Sequence, residues 1–174
     1  MKKTANSNEL YFITFTVVHW LDVFTRIEYK NIVVDILNYY IDNNKVEIYS
    51  YVIMSNHIHL IARSAEDSTL SKFIREFKSY SSKKLFDFIL SNPRESRKEN
   101  LISQFKSEGL INNKNISFQF WQNGNHPLKL YTKKMITQKV NYINENPVRA
   151  GWVNESWKYW FSSANPEDPV KCIR

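Results

Sequence analysis

Cysteine occurs once in the 174 residues, at Cys172, so no disulfide can close within the chain and a reducing cytoplasm is the expected setting. Long apolar runs are missing too. Nothing approaches the ~18 residues of a membrane span, and the first residues lack the apolar core of a signal peptide, so no membrane association is expected. Only three glycines are present, which argues against an RNA-binding ferredoxin-like module, whose strands carry a glycine-rich aromatic signature. Acidic residues are absent from Gly109 to Asn144, while Lys114, Lys129, Lys133, Lys134 and Lys139 all fall there. A solvated surface ordinarily mixes both signs, so this stretch suits a position close to phosphates. The net charge of +7 agrees with a polyanionic partner.

Hydrophobic residues make up 43% of the chain and aromatics 15%, enough for one domain over residues 1–174 with its own core. After a polar start at Met1–Glu9, Leu10–Val18 has the β-branched and aromatic content of a buried strand. Ile32, Val33, Ile36, Leu37, Tyr40 and Ile41 then recur at helical spacing. Two further strands, Val46–Met54 and His57–Ala62, meet at Ser55-Asn56. A helix over about 70–90, capped by Ser68 or Thr69, buries Leu70, Phe73, Ile74, Phe77, Leu85 and Ile89. Its other face shows Lys72, Arg75, Lys78, Lys83 and Lys84. Residues 91–116 read as an insertion with a short helix at about 95–108 and a loose Asn112–Asn115 connection. Phe118–Trp121 reads as the last strand, Asn123–Asn125 as a turn, and 132–145 as a helix that stops before Pro147. Residues 164–174 form an irregular tail. This order of elements is that of a ferredoxin-like α+β sandwich: an antiparallel sheet with helices on one face, plus an additional C-terminal helix.

The chemistry concentrates in Met54-Ser55-Asn56-His57-Ile58-His59-Leu60-Ile61. Alternate side chains of a strand share a face, so His57 and His59 point together while Ile58 and Leu60 enter the core. Two imidazoles held on one rigid face are half of a divalent-cation site. With helices on the Ile58 side, the pair is expected on an open face within reach of a nucleic-acid strand.

Four segments together resemble one family. They are Tyr51–Ile61, the helix Ile74–Tyr80, Phe120-Trp121-Gln122, and Tyr142-Ile143-Asn144-Glu145-Asn146-Pro147-Val148-Arg149-Ala150-Gly151. In this order they look like the one-tyrosine HUH transposases, in particular the REP-associated tyrosine transposase branch. The resemblance covers about residues 10–163. It implies a divalent ion, Mg²⁺ or Mn²⁺, on His57 and His59, a tyrosine that cleaves and rejoins single-stranded or hairpin DNA, and a homodimer. Relatives place that tyrosine shortly after the Trp-Gln pair, at the position of Asn125 here. Tyr131 is the nearest phenol downstream, readable either as a displaced nucleophile or as an aromatic packing at a helix start. The third metal ligand of relatives falls at Leu128 or Lys129. His126 is the substitute on offer, and a surface turn histidine is its other reading. Tyr142 fits a motif position read as structural. Lys72, Arg75, Lys78, Lys83, Lys84, Lys129, Lys133 and Lys134 are the expected DNA contacts. Two functional readings stay open: a metal-dependent single-strand transposase, and a relative that keeps hairpin binding without a nucleophile.

Overall fold

The computed structural model describes residues 9–66, 68–111 and 117–173. The elements are β1 (Tyr11–Thr16), α1 (Ile27–Asp42), β2 (Val46–Ile53), β3 (His57–Ser64), α2 (Leu70–Ser91), α3 (Lys98–Ile111), β4 (Leu128–Lys129) and α4 (Lys133–Arg149). The sheet is antiparallel in the order β2-β3-β1-β4, the ferredoxin-like arrangement expected. The polar start at 1–8 and the Asn112–Asn115 connection lie outside the described residues.

One face of the sheet is apolar. Ile13, Phe15, Ile58 and Leu60 are fully buried beneath α1 and α2, and the Phe15 and Phe77 rings lie 4.6 Å apart. α2 starts at Thr69, whose hydroxyl accepts from Lys72 N–H at 3.2 Å. α3 falls inside the segment 91–116, and its Leu101, Ile102 and Phe105 are buried in the same core.

The expected strand at 118–121 forms only an isolated bridge, Trp121 opposite Val17, and the fourth strand is the two-residue β4. Its aromatics face away from a ladder. Phe118 stacks on Phe86 at 3.9 Å, Phe120 packs on Phe105, and Trp121 Nε1 donates to Ser81 Oγ at 2.9 Å. Strand propensity measures fit to a packed surface, and here α2 and α3 supply that surface.

α4 begins at Thr132, whose hydroxyl accepts from Met135 N–H. It runs through Pro147 instead of stopping before it. Gly151, at φ +74, ends it: Gly151 N–H donates to Val148 O and Trp152 N–H to Pro147 O, a Schellman closure. The proline falls in the last turn, where the restriction it places on Asn146 does not stop the helix. The tail is irregular but anchored. Ile53 N–H donates to Phe161 O and Ser163 N–H to Tyr51 O along the outer edge of β2, and Val170 is buried.

Most consequential for the site, α4 packs across β2 and β3 on the histidine face. That face is roofed, not open.

Candidate functional site

β1 and β3 pair with Thr14 opposite His59 and Thr16 opposite His57. Opposed residues of an antiparallel pair share a face, so two hydroxyls and two imidazoles form one polar patch. The histidine rings lie 4.7 Å apart at 64°. His59 is 5% exposed and His57 half-buried. Each ring is fixed from its Nδ1 side: Asn56 Oδ1 lies 2.7 Å from His57 Nδ1, and Thr14 Oγ1 lies 2.8 Å from His59 Nδ1. The Asn56 oxygen can only accept, which puts the His57 proton on Nδ1 and the lone pair on Nε2. Among the described residues, His59 Nε2 is buried with no hydrogen-bond partner.

Burial lowers the pKa of both histidines. For His59 the charges of His57 and Lys139 add to burial and bring it down to about 3. For His57 a hydrogen bond with Asn146 works against burial. Both rings are therefore neutral near pH 7, the protonation state in which imidazole coordinates metal.

The roof supplies the remaining groups. Tyr142 lies edge-on to His59 at 5.2 Å, and Phe12 stacks on His59 at 5.1 Å. Lys139 Nζ sits 4.4 Å from the Phe12 ring centre and 5.3 Å from that of Tyr142, and Arg149 Cζ lies 5.8 Å from the latter. Asn146 Nδ2 donates to Tyr142 O at 2.8 Å, and the amide has a second N–H for its hydrogen bond with the His57 ring. Positions 139, 142 and 146 are spaced i, i+3 and i+7, so they share one stripe of α4. Sequence reasoning kept Tyr142 as structural and passed over Asn146 and Lys139 as site residues. That polar stripe was the available signal.

Beside the roof, a cleft of about 340 Å³ is lined by Phe12, Thr14, Thr16, Lys139 and the 122–126 loop. Asn125 stands in it, two hydrogen bonds from the histidines. Its amide donates to Thr14 O at 3.2 Å and accepts from Lys78 Nζ at 2.7 Å. Among the described residues the edge of β1 between the Trp121 bridge and β4 has no strand partner, and the Asn125 side chain takes that place.

The other expected site residues are dispersed. His126 is exposed, and its Nε2 folds back over Gly124. Among the described residues no three His, Cys, Asp or Glu side chains cluster to hold a metal, so His126 does not complete the histidine pair. Tyr131 is 72% exposed, with Lys129 over its ring at 4.9 Å and Tyr11 nearby. Lys129 is ion-paired with Glu9. Lys72, Arg75, Lys83 and Lys84 are on α2, behind the apolar face, because that helix must bury Phe73 and Phe77 against the sheet. From that helix Lys78 alone reaches the cleft among the expected contacts, donating to Gln122 O at 2.6 Å as well as to Asn125. Lys133 and Lys134 are exposed in the first turn of α4.

Topology and site define a ferredoxin-like domain with a histidine-pair strand under its C-terminal helix. The family model for IS200-like transposases matches residues 7–105, more than half of the chain, and the protein belongs to that family. Among solved structures, the REP-associated tyrosine transposase bound to a REP hairpin is similar at 20% identity, with a TM-score of 0.61 over 90% of this chain and 77% of that one. A Deinococcus radiodurans R1 protein provisionally assigned as a transposase is similar at 16% identity, with a TM-score of 0.49 over 82% of this chain and 95% of that one. No curated protein matches. The matched family segment ends before α4.

Among the described residues no helix is long and apolar enough to cross a membrane.

Proposed function

We propose that this transposase cleaves and rejoins single-stranded DNA beside a hairpin, with Tyr142 as nucleophile and a divalent ion at His57, His59 and Asn146. The observation that carries the proposal is the position of Tyr142, 5.2 Å from His59 and flanked by Lys139 and Arg149. The donor set fits a cation: His59 Nε2 is buried and unpartnered among the described residues, His57 Nε2 carries a lone pair, and the Asn146 side-chain amide, which hydrogen-bonds His57, has a carbonyl oxygen to offer if it turns. The carbonyl oxygen suits Mn²⁺ or Mg²⁺ while the imidazoles also favour zinc, and a bound ion would polarise the phosphate and offset the charge of the transition state.

In the reaction the Tyr142 oxygen attacks phosphorus in line. An O–P bond to tyrosine forms, the bond to the 3′-oxygen breaks, and the phenolic proton ends on that oxygen. A 5′-phosphotyrosyl link and a free 3′-hydroxyl result, and the link keeps the bond energy for rejoining. Lys139, Arg149 and Lys78 lie where they can pair with the phosphates on either side, and Lys133 and Lys134 extend the basic surface. The hairpin substrate follows the structural neighbour, which was solved with one. Action as a homodimer belongs to the same proposal, and sedimentation of the DNA complex measures it.

The test is incubation of a labelled single-stranded hairpin with protein and Mn²⁺, scored for a covalent adduct. Adduct from the unmodified chain and from Tyr131→Phe, but none from Tyr142→Phe, is the expected result. Adduct persisting in Tyr142→Phe overturns the assignment. The binding-only reading draws on the amide at Asn125, and a wild-type chain that binds hairpins without forming an adduct under any metal would establish it.

A further inference from the structure

Trp20 is 58% exposed, yet the backbone that presents it is strained. His19 and Trp20 are consecutive non-glycine residues at φ +54 and +55, a left-handed conformation that L side chains adopt only where the surroundings impose it. The surroundings here are the turn that introduces the histidine strand. Asn56 Nδ2 donates to Trp20 O at 3.3 Å and to Asp22 Oδ1 at 3.0 Å. Val17 N–H donates to Asn56 O and Phe24 N–H to Ser55 O, at 2.9 and 2.7 Å. From the far side, His19 Nε2 pairs with Glu108 Oε2 at 3.1 Å. The clamped turn holds the indole against His57, with ring centres 5.9 Å apart at 74°.

Packing does not account for this arrangement. The ring lies outside the hydrophobic core and meets the polar His57 imidazole, unlike the apolar surround of a protein-docking anchor. A large aromatic in water beside a phosphate-handling site suits a ligand with both a charge and a π face. We infer that Trp20 is a stacking platform for one nucleobase of the single strand, that of a nucleotide flanking the phosphate at the His57–His59 pair. The inference rests on the proposed function, in which a single strand crosses those histidines. Unpaired bases are free to turn outward, and every base has a π face, so such a platform would fix the position of the strand without reading its sequence.

The experiment uses the full chain and a labelled single-stranded hairpin in which an abasic site is walked across the nucleotides at the foot of the stem. Binding is read by anisotropy at fixed salt. Trp20→Ala should weaken binding roughly ten-fold, within the range base–aromatic stacking spans, and Trp20→Phe should keep most of the affinity. One abasic position should cost the wild type a similar factor and cost Trp20→Ala nothing further, the signature of a shared contact. Unchanged affinity in Trp20→Ala, or losses that multiply at every position, overturns the platform while leaving the cleavage reading intact. A Trp20→Ala protein that sediments differently yet binds DNA as before assigns the ring to a protein interface and overturns it too. A wild type with no affinity for any single strand sinks both readings. The abasic series on wild type and Trp20→Phe needs no variant with a truncated ring, so a Trp20→Ala protein that fails to fold leaves the test standing.

Discussion

The two faces of the sheet come from alternating residues of the same strands and obey opposite rules. Under α1 and α2, Ile13, Phe15, Ile58 and Leu60 are buried among apolar neighbours. Under α4, Thr14, His57 and His59 are held by polar contacts, and one buried ring nitrogen has no partner among the described residues. An unpaired buried donor or acceptor costs on the order of 1–3 kcal/mol, which stability alone gives no reason to keep. The contrast teaches that one face holds the fold and the other keeps neutral imidazole nitrogens available to a ligand.

The comparison breaks most sharply at the histidines. His57→Ala combined with His59→Ala should abolish Mn²⁺ binding in calorimetry while the urea midpoint moves little; binding that survives would show that this face is structural after all. Phe15→Ala should do the reverse. Removing a fully buried ring from between α2 and the sheet costs about 3–5 kcal/mol in urea unfolding and should leave metal affinity unchanged at temperatures where the variant is folded.

Acid should also tell the faces apart. Because the folded-state pKa of His59 is depressed to about 3, the unfolded chain takes up its proton first as pH falls below about 6.5. The contribution of His59 to stability is therefore intact near pH 7 and declines below pH 6.5 until the folded pKa is reached, amounting to about 2 kcal/mol lost by pH 5. Urea melts at pH 7 and pH 5 measure this, and His59→Leu should flatten the difference. Smallest is the effect of Lys139→Ala, which should lower the slope of log affinity against log salt by about 0.7 on single-stranded DNA, one phosphate's share. An unchanged slope would remove Lys139 from the DNA surface.

Where periodicity was strong, sequence and structure agree. The apolar spacing of α1 and α2 and the alternation of β1 and β3 each report burial on one side, and the structure has those sides as read. The misplaced elements share a cause. Phe118–Trp121 has the composition of a strand because its aromatics are buried, but helices bury them and the ladder is nearly absent. Pro147 reads as a stop, yet a proline in the last turn is tolerated and Gly151 sets the end. Asn125 lines the cleft, and its amide is engaged in completing the edge of β1.

By itself the sequence determined the strand that carries the two imidazoles, their common face and the ferredoxin-like order of elements, because local periodicity encodes which side of each element is buried. Only the tertiary structure decided which phenol meets the histidines. Tyr142 follows His59 by more than eighty positions, and no local pattern specifies over which face of the sheet a C-terminal helix will close. That choice is made by long-range packing: α1 and α2 already cover the apolar face, so α4 closes over the histidines and brings Lys139, Tyr142 and Asn146 down onto them.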